Sequence, residues 1–268
     1  MSRESRSEVL LERQDGDLLW VTLNDPRRAN ALSPALVAAL TATFARDLRA
    51  EGVRAVLLTG AGKHFSAGAD LANLRKIAAA GLEENRADSE RLRGMFEALV
   101  RQEALTIALV HGACVAGGCG LATACDFVVA ADDARFMYSE VRIGFVAALV
   151  ATYLSLRLRG SDVREMLLNP EFLPAGPALE IGLVNRMVPE GELRTAGTQL
   201  AAEILSKASS ESIARTKRIL LDMLGRPLNE RFDLAAEANA QSRLTDDCRR
   251  GVAAFLEDKK SPDWRRER

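Results

Sequence analysis

Three short runs, Val53-Arg54-Ala55-Val56-Leu57-Leu58-Thr59, Thr106 to Val110 and Asp126 to Ala130, are nearly continuous in apolar side chains. Strands of this kind are buried on both faces, so they belong inside a sheet covered by helices, with crossover connections between strands. The intervening sequence supplies helices. Ser33-Pro34 opens one, with serine as N-cap and proline in the first turn; Leu36, Leu40, Phe44 and Leu48 then recur every four positions, and Gly52 ends the unit. Glu83 to Glu103 is charged and helical in pattern, with Leu92, Phe96, Leu99 and Val100 on one side. Gly81 and the polar residues after it read as a mobile lead-in. Near the start, Val9 to Gln14 and Asp17 to Leu23 are strand-like and meet at Asp15-Gly16, a tight-hairpin signal.

From about Ser206 onward the pattern is helical only, over Ser209 to Leu224, Leu228 to Thr245 and Asp246 to Asp258. The expectation is an α/β protein with a core over residues 8–205 and a helical C-terminal subdomain over 206–268. No low-complexity segment or repeat of fixed period stands out.

The 268 residues carry a net charge of -1, which argues against nucleic acid as a partner. No apolar run approaches the roughly 20 residues of a membrane span. The segment Met1 to Ser7 lacks the apolar core of a secretion signal, so a cytoplasmic location is expected. The basic end, Trp264-Arg265-Arg266-Glu267-Arg268, reads as solvated. Cys114, Cys119, Cys125 and Cys248 show no CxxC spacing, and there are two histidines, so no metal site is expected. The cysteines read as small buried hydrophobes in a reducing compartment.

Two glycine-rich turns carry the chemistry: Phe65-Ser66-Ala67-Gly68-Ala69-Asp70 and His111-Gly112-Ala113-Cys114-Val115-Ala116-Gly117-Gly118-Cys119-Gly120. Each follows a strand-like run and leads into a helix-like one. Small residues let bare backbone approach a ligand, and free helix-start amides bind developing negative charge. Two such turns can make a two-donor oxyanion hole; taken singly, each also fits a role in tight packing.

With these turns, the chain resembles the crotonase superfamily, the enoyl-CoA hydratase/isomerase family, from about Val9 to Phe255. Phe65 to Leu71 resembles its first oxyanion segment, and Ala116-Gly117-Gly118-Cys119 with Cys125-Asp126 its second. Ser139-Glu140-Val141-Arg142-Ile143-Gly144 is similar to the segment bearing the distal catalytic glutamate, and Ala178 to Val184 matches a further landmark. The resemblance implies a spiral of ββα turns, with the helical end serving trimerisation, and homotrimers or homohexamers. It implies an acyl-CoA thioester substrate, no cofactor beyond that coenzyme A, and an enolate held by the N–H groups of Ala69 and Gly117.

Glu140 is then the general acid/base, set among apolar neighbours that raise a carboxyl pKa. The alternative for Glu140 is an ion pair with Arg142 on a solvated turn. Gly120 departs from the pattern, because two-carboxylate hydratases have glutamate there. Three readings stay open: a hydratase working on Glu140 alone, which the Ser139–Gly144 match favours; a Δ3-Δ2-enoyl-CoA isomerase; and an inactive acyl-CoA-binding scaffold.

A second departure is Phe145-Val146-Ala147-Ala148-Leu149, where the family often has proline. Residues from about Leu74 to Phe96 and from Phe145 to Ala148 are expected to line the acyl pocket. Coenzyme A is expected to meet Arg28, with Arg27 a weaker candidate, and the backbone of Ala67, Asp70 and Leu71. Phe255 and Lys259 would reach a neighbouring subunit's coenzyme A. His64 reads as a solvated loop residue, His111 as a structural hydrogen-bonding residue, and Asp126 as a tie between strand and loop.

Overall fold

The computed structural model describes residues 4–6 and 8–265; the side chains of residues 4–6, 71 and 258 lie outside that description. In chain order the strands are β1 (Glu4–Arg6), β2 (Leu10–Asp15), β3 (Leu18–Leu23), β4 (Ala55–Gly60), β5 (Leu105–Val110), β6 (Ala113–Val115), β7 (Phe127–Ala131), β8 (Arg135–Met137), β9 (Leu173–Pro174) and β10 (Arg186–Val188). The helices are α1 (Pro34–Phe44), α2 (Leu71–Ala78), α3 (Leu82–Val100), α4 (Gly117–Thr123), α5 (Ala148–Arg157), α6 (Gly160–Leu168), α7 (Ala175–Glu180), α8 (Leu193–Lys207), α9 (Ser210–Asp222), α10 (Leu228–Ser242) and α11 (Asp246–Asp258).

The large sheet runs β1-β2-β3-β4-β5-β7-β10, antiparallel through the β2–β3 hairpin and parallel from β3 to β10. Its central strands are covered on both sides, which is why their sequences are continuously apolar. Alternate residues such as Val56, Leu58, Ala108 and Val110 face the layer containing α1 and α3. Their neighbours Ala55, Leu57, Ile107 and Leu109 face α8 through Leu193, Leu200, Ala201 and Leu205. Gly197 is required in α8, because a Cβ there would lie 2.4 Å from Leu109 Cδ2. On α1, Ser33 accepts from the Leu36 N–H as expected of an N-cap, and Leu36 and Leu40 have no exposure. Each such burial contributes about 1.5–3 kcal/mol.

A small second sheet, β6-β8-β9, extends one pairing further through a bridge between Ser66 and Cys114. Three structural repeats follow. In each, a long strand of the main sheet (β4, β5, β7) leads to a short strand or bridge (Ser66, β6, β8) and then to a helix (α2, α4, α5). Cys114 pairs with Ser66 on one side and Phe136 on the other, so the short elements stand side by side. The corners from short element to helix therefore stack as well.

The lead-in expected around Gly81 is ordered secondary structure. Asp70 caps α2 by accepting from the Asn73 N–H at 2.9 Å, and Gly81 starts α3 by donating its N–H to Glu84 at 3.2 Å. Beyond α8, α9 is held to the core by Lys217, whose Nζ reaches Asp126 at 2.6 Å and the Ala104 carbonyl at 2.8 Å. Helix α10 has no buried residue, and Leu228, Phe232, Val252, Phe255 and Leu256 of α10 and α11 are exposed.

Candidate active site

Ala69, Gly117 and Ser139-Glu140 occupy equivalent corners of the three repeats. Ala69 lies three residues after Ser66, Gly117 three after Cys114, and Ser139 three after Phe136, where Ser66 and Phe136 each pair with Cys114. Register alone thus brings these residues together, although they are far apart in sequence.

The first two corners touch. A Cβ on Gly68 would stand 2.6 Å from Val115 O and 2.8 Å from Ala116 Cβ; one on Gly118 would stand 2.5 Å from Ser66 Oγ. Gly68 also has φ +83, a conformation glycine adopts without strain. Val115 donates to Ser66 O at 2.9 Å and Ser66 to Ala113 O at 3.3 Å, which fixes the separation. Ala69 and Gly117 are the next residues along from the Gly68–Ala116 contact. Neither N–H has a protein acceptor among the described residues, and Gly117 starts α4, where the helix dipole favours negative charge. Ala116 sits at φ 49, ψ -125, a backbone state costing on the order of 1–3 kcal/mol. It is held there by its own N–H bond to Met137 O at 2.7 Å.

Two residues that sequence reasoning misjudged or missed support the first corner. Asn30, fully buried at φ 54, reaches the carbonyls of Ala61, His64 and Phe65 with its Nδ2 and accepts from the Asp25 N–H. Asparagine tolerates this left-handed conformation, which was the available signal beside Arg27-Arg28. His64 is not a solvated loop residue: it is half-buried, and its Nδ1 accepts from the Ala113 N–H at 3.2 Å, joining the two corners. His111 donates its Nε2–H to Gly62 O at 3.0 Å, in the structural role expected. Asp126 ties strand to loop as expected, with Oδ2 accepting from Thr106 N–H and Oγ1.

Glu140 begins a 3-10 turn, Glu140–Ile143, closed by Gly144 at φ +73. Its Oε2 is buried and has no hydrogen-bond partner among the described residues. Desolvation is the main influence on this carboxyl and holds it above the ordinary carboxylate range, against smaller opposing backbone hydrogen bonds. The alternative ion pair with Arg142 does not form: Arg142 turns to Pro170 O and Glu171 instead. The departure from proline is mild, because Ala147 has φ -76, which a proline would also hold.

Gly120 faces a filled space. A Cβ there would meet Val150 Cγ1 at 2.3 Å, Tyr153 Oη at 2.8 Å and Phe96 Cζ at 3.4 Å. A second carboxylate has no room at this position. Of the expected pocket residues, Phe96 is buried here, whereas Phe145 and Val146 are exposed. A polar cavity of about 410 Å3, lined in part by Arg49, Arg54, Ser210, Asp246 and Trp264, shares no residue with these corners.

The expected coenzyme A contacts are grouped at the first corner. Arg28 is mostly exposed and lies between Asp25 and Asp70, at 3.9 and 3.8 Å. The Ala67 N–H is taken by Ala29 O, which leaves the Ala67 carbonyl without a partner among the described residues. Leu71 is the first residue of α2, and its side chain lies outside the described residues. Phe255, in α11, and Lys259, just after it, are both exposed. Cys114, Cys119 and Cys125 are buried free thiols, with burial pushing Cys125 up to about 12, and Cys248 is half-buried.

A family description, enoyl-CoA hydratase/isomerase, matches residues 13–267. The chain belongs to the enoyl-CoA hydratase/isomerase family. It is 43% identical over 249 residues to a Thermus thermophilus protein provisionally named an enoyl-CoA hydratase, covering 92% of this chain and 98% of that one. It is 32% identical to the human mitochondrial Delta(3,5)-Delta(2,4)-dienoyl-CoA isomerase, covering 90% of this chain and 77% of that one. The crystal structure of an enoyl-CoA hydratase from Mycobacterium smegmatis superposes with a TM-score of 0.88 at 33% identity, covering 96% and 99% of the two chains. The fold is thus the crotonase fold, and the three repeats are turns of its ββα spiral. The relatives carry enzyme names, so the family is one of lyases and isomerases, and the scaffold alternative is set aside. No helix of the described residues is long and apolar enough to cross a membrane.

Proposed function

We propose that this enzyme adds water across the double bond of a 2-enoyl-CoA thioester, with Glu140 as its sole carboxylate acid/base. Glu140 as sole acid/base rests on its buried Oε2, without a hydrogen-bond partner among the described residues, and on the crowded space at Gly120; the choice of hydration over isomerisation rests on the Ser139–Gly144 match and the hydratase-named relatives. The thioester oxygen accepts from the N–H groups of Ala69 and Gly117. One such donor is worth about 3–4 kcal/mol in the transition state. Both point from fixed backbone, so no reorganisation is needed as charge develops.

A lone carboxyl suffices if both its oxygens work. Protonated Glu140 gives its proton to C2 from one oxygen while the other takes a proton from the water attacking C3. The C3–O and C2–H bonds form, one water O–H bond breaks, and Glu140 ends as it began. Burial shifts Glu140 towards its protonated form, the direction the proton donor to C2 needs, and such proton transfer contributes typically 10²–10⁴-fold.

Isomerisation is the second reading, favoured by the dienoyl-CoA isomerase relative and by the single carboxylate, which could carry a proton from C2 to C4. Arg28, Ala67, Asp70 and Leu71 would hold the coenzyme A handle. No cofactor beyond it is invoked. The exposed apolar faces of α10 and α11 suit a homotrimer or homohexamer in which Phe255 and Lys259 reach a neighbour's coenzyme A. A cytoplasmic location accords with the buried free thiols. Product analysis with a 2-enoyl-CoA and a 3-enoyl-CoA decides between the readings. Water addition lost in Glu140→Ala, with acyl-CoA affinity kept, supports the hydratase; double-bond migration alone supports the isomerase. Unchanged turnover in Glu140→Ala removes Glu140 from either.

A further inference from the structure

The space beside Gly120 is filled by two apolar side chains and one polar atom, and the polar atom has spare capacity. Tyr153 projects from α5, and its Oη donates to Gly120 O at 2.9 Å. A phenol has one proton and two lone pairs, so once that proton is committed the oxygen can only accept. Its position is well defined: the ring is tilted against Phe96 with centroids 5.7 Å apart, and Gly120 O also receives the Thr123 hydroxyl at 3.2 Å. Tyr153 Oη lies 2.8 Å from where a residue-120 side chain would begin, the side of the cleft from which a second carboxylate would have worked. Burial holds the phenol well above its ordinary pKa, and the Glu140 charge pushes in the same direction, so Tyr153 stays neutral and within electrostatic reach of Glu140.

Hydration on a single carboxylate has a geometric shortfall. A water held by one acceptor can swing about that hydrogen bond, whereas attack on C3 requires its lone pair to be aimed. We propose that Tyr153 is the second anchor of the attacking water, its Oη accepting one water proton's hydrogen bond while a Glu140 oxygen accepts the other. With both O–H bonds held, one of the water's two lone pairs is aimed at C3. Tyr153 neither gains nor loses a proton; the water proton goes to Glu140, and C2 is protonated by the other Glu140 oxygen. Tyr153 acts by positioning, and the inference rests on the hydratase reading.

The test uses purified full-length wild type and Tyr153→Phe. Wild type is first assayed for hydration of crotonyl-CoA; no hydration there fails the hydratase reading itself, before any variant is compared. Two activities are then measured in each protein: hydration, which needs the water, and exchange of the C2 protons of butanoyl-CoA with D2O, which needs only Glu140 and the oxyanion donors. The expected result is a fall in hydration kcat of about 10- to 100-fold with KM within two-fold, as for loss of one orienting contact, and unchanged C2 exchange. Unchanged hydration overturns the proposal, as does a parallel loss of hydration and exchange. Should Tyr153→Phe fail to fold, 3-fluorotyrosine at position 153 keeps the ring and weakens the oxygen as an acceptor. Hydration then falls several-fold with exchange intact, and no change in hydration overturns the proposal.

Discussion

The two walls of the cleft are built in opposite ways. On one side stand Ala69 and Gly117, offering main-chain N–H groups from corners locked by short-strand pairing and by glycine contacts under 3 Å from a would-be Cβ. On the other stand Glu140 and Tyr153, offering side chains from a 3-10 turn and from α5, next to the exposed Ile143, Phe145 and Val146. In the proposed reading the backbone wall does one thing: it holds an oxyanion. Its chemistry does not depend on which side chains it carries, only on how small they are. On the same reading the side-chain wall handles the protons next to the enolate, so a replacement there is expected to change the reaction. This division explains how one family holds both hydratases and isomerases: polarising the thioester is left to the main chain, and the route of the proton to side chains.

The largest effect is expected where a side chain is forced into the join between the walls. Gly120→Glu places a Cβ 2.3 Å from Val150 Cγ1 and buries a carboxylate against Phe96. Overpacking and an unpaired buried charge together should cost more than about 3 kcal/mol. Adding Val150→Ala removes the nearest obstacle, Cγ1, but leaves the carboxylate buried and unpaired, so the double variant should recover only part of the lost stability in chemical denaturation. A Gly120→Glu protein as stable as wild type would mean the space is not filled as described.

Next is the backbone wall alone. Gly118→Ala drives a methyl to 2.5 Å from Ser66 Oγ and 2.6 Å from Ser66 Cβ, so the two oxyanion corners must part. A stability loss of about 1–3 kcal/mol is expected, from an overpacked site. kcat should fall by about 10²–10³, the loss of one oxyanion donor. The kinetic effect should appear equally in hydration and in C2 proton exchange, since both need the oxyanion; a variant that lost only one of them would break the distinction between the walls.

Much of this was legible in the sequence, and the two walls differ here too. The glycine turns announce the backbone wall because a close approach requires glycine, whatever else the chain does. Ser33 as a helix cap, the Asp15-Gly16 hairpin and the apolar central strands were legible for the same reason: their causes are local. The spiral was not readable from periodicity and entered by resemblance. Its repeats have paired positions at 66, 114 and 136, intervals too unequal to register as a sequence period. Asn30 went unread because its three carbonyl partners lie some thirty residues away. His64 was misread because its acceptor role depends on a donor, Ala113, brought alongside only by strand pairing. Tyr153 went unremarked because nothing near it in sequence hints at Gly120, and only the fold brings its Oη against the space beside that glycine.

The smallest effect separates the walls by pH. The side-chain wall carries a titrating group in an unfavourable place, whereas the backbone wall carries none. Glu140 has its carboxyl raised above the ordinary range by desolvation, so the native state binds that proton more tightly than the unfolded chain does. Its stabilising contribution is full below the ordinary carboxylate pKa and is lost as pH rises through the raised native value; above that, the ionised group is a net cost. Glu140→Gln removes the titration and keeps the shape. Its melting temperature should therefore exceed that of wild type at pH 8, and the difference should close as pH falls below about 4.5. Gly118→Ala, by contrast, should be less stable than wild type by the same amount at both pH values, because a steric cost does not titrate. A Glu140→Gln advantage that is independent of pH would show that burial is not what sets this carboxyl apart. The lone acid would then lack the raised pKa that the proton shuttle between water and C2 requires.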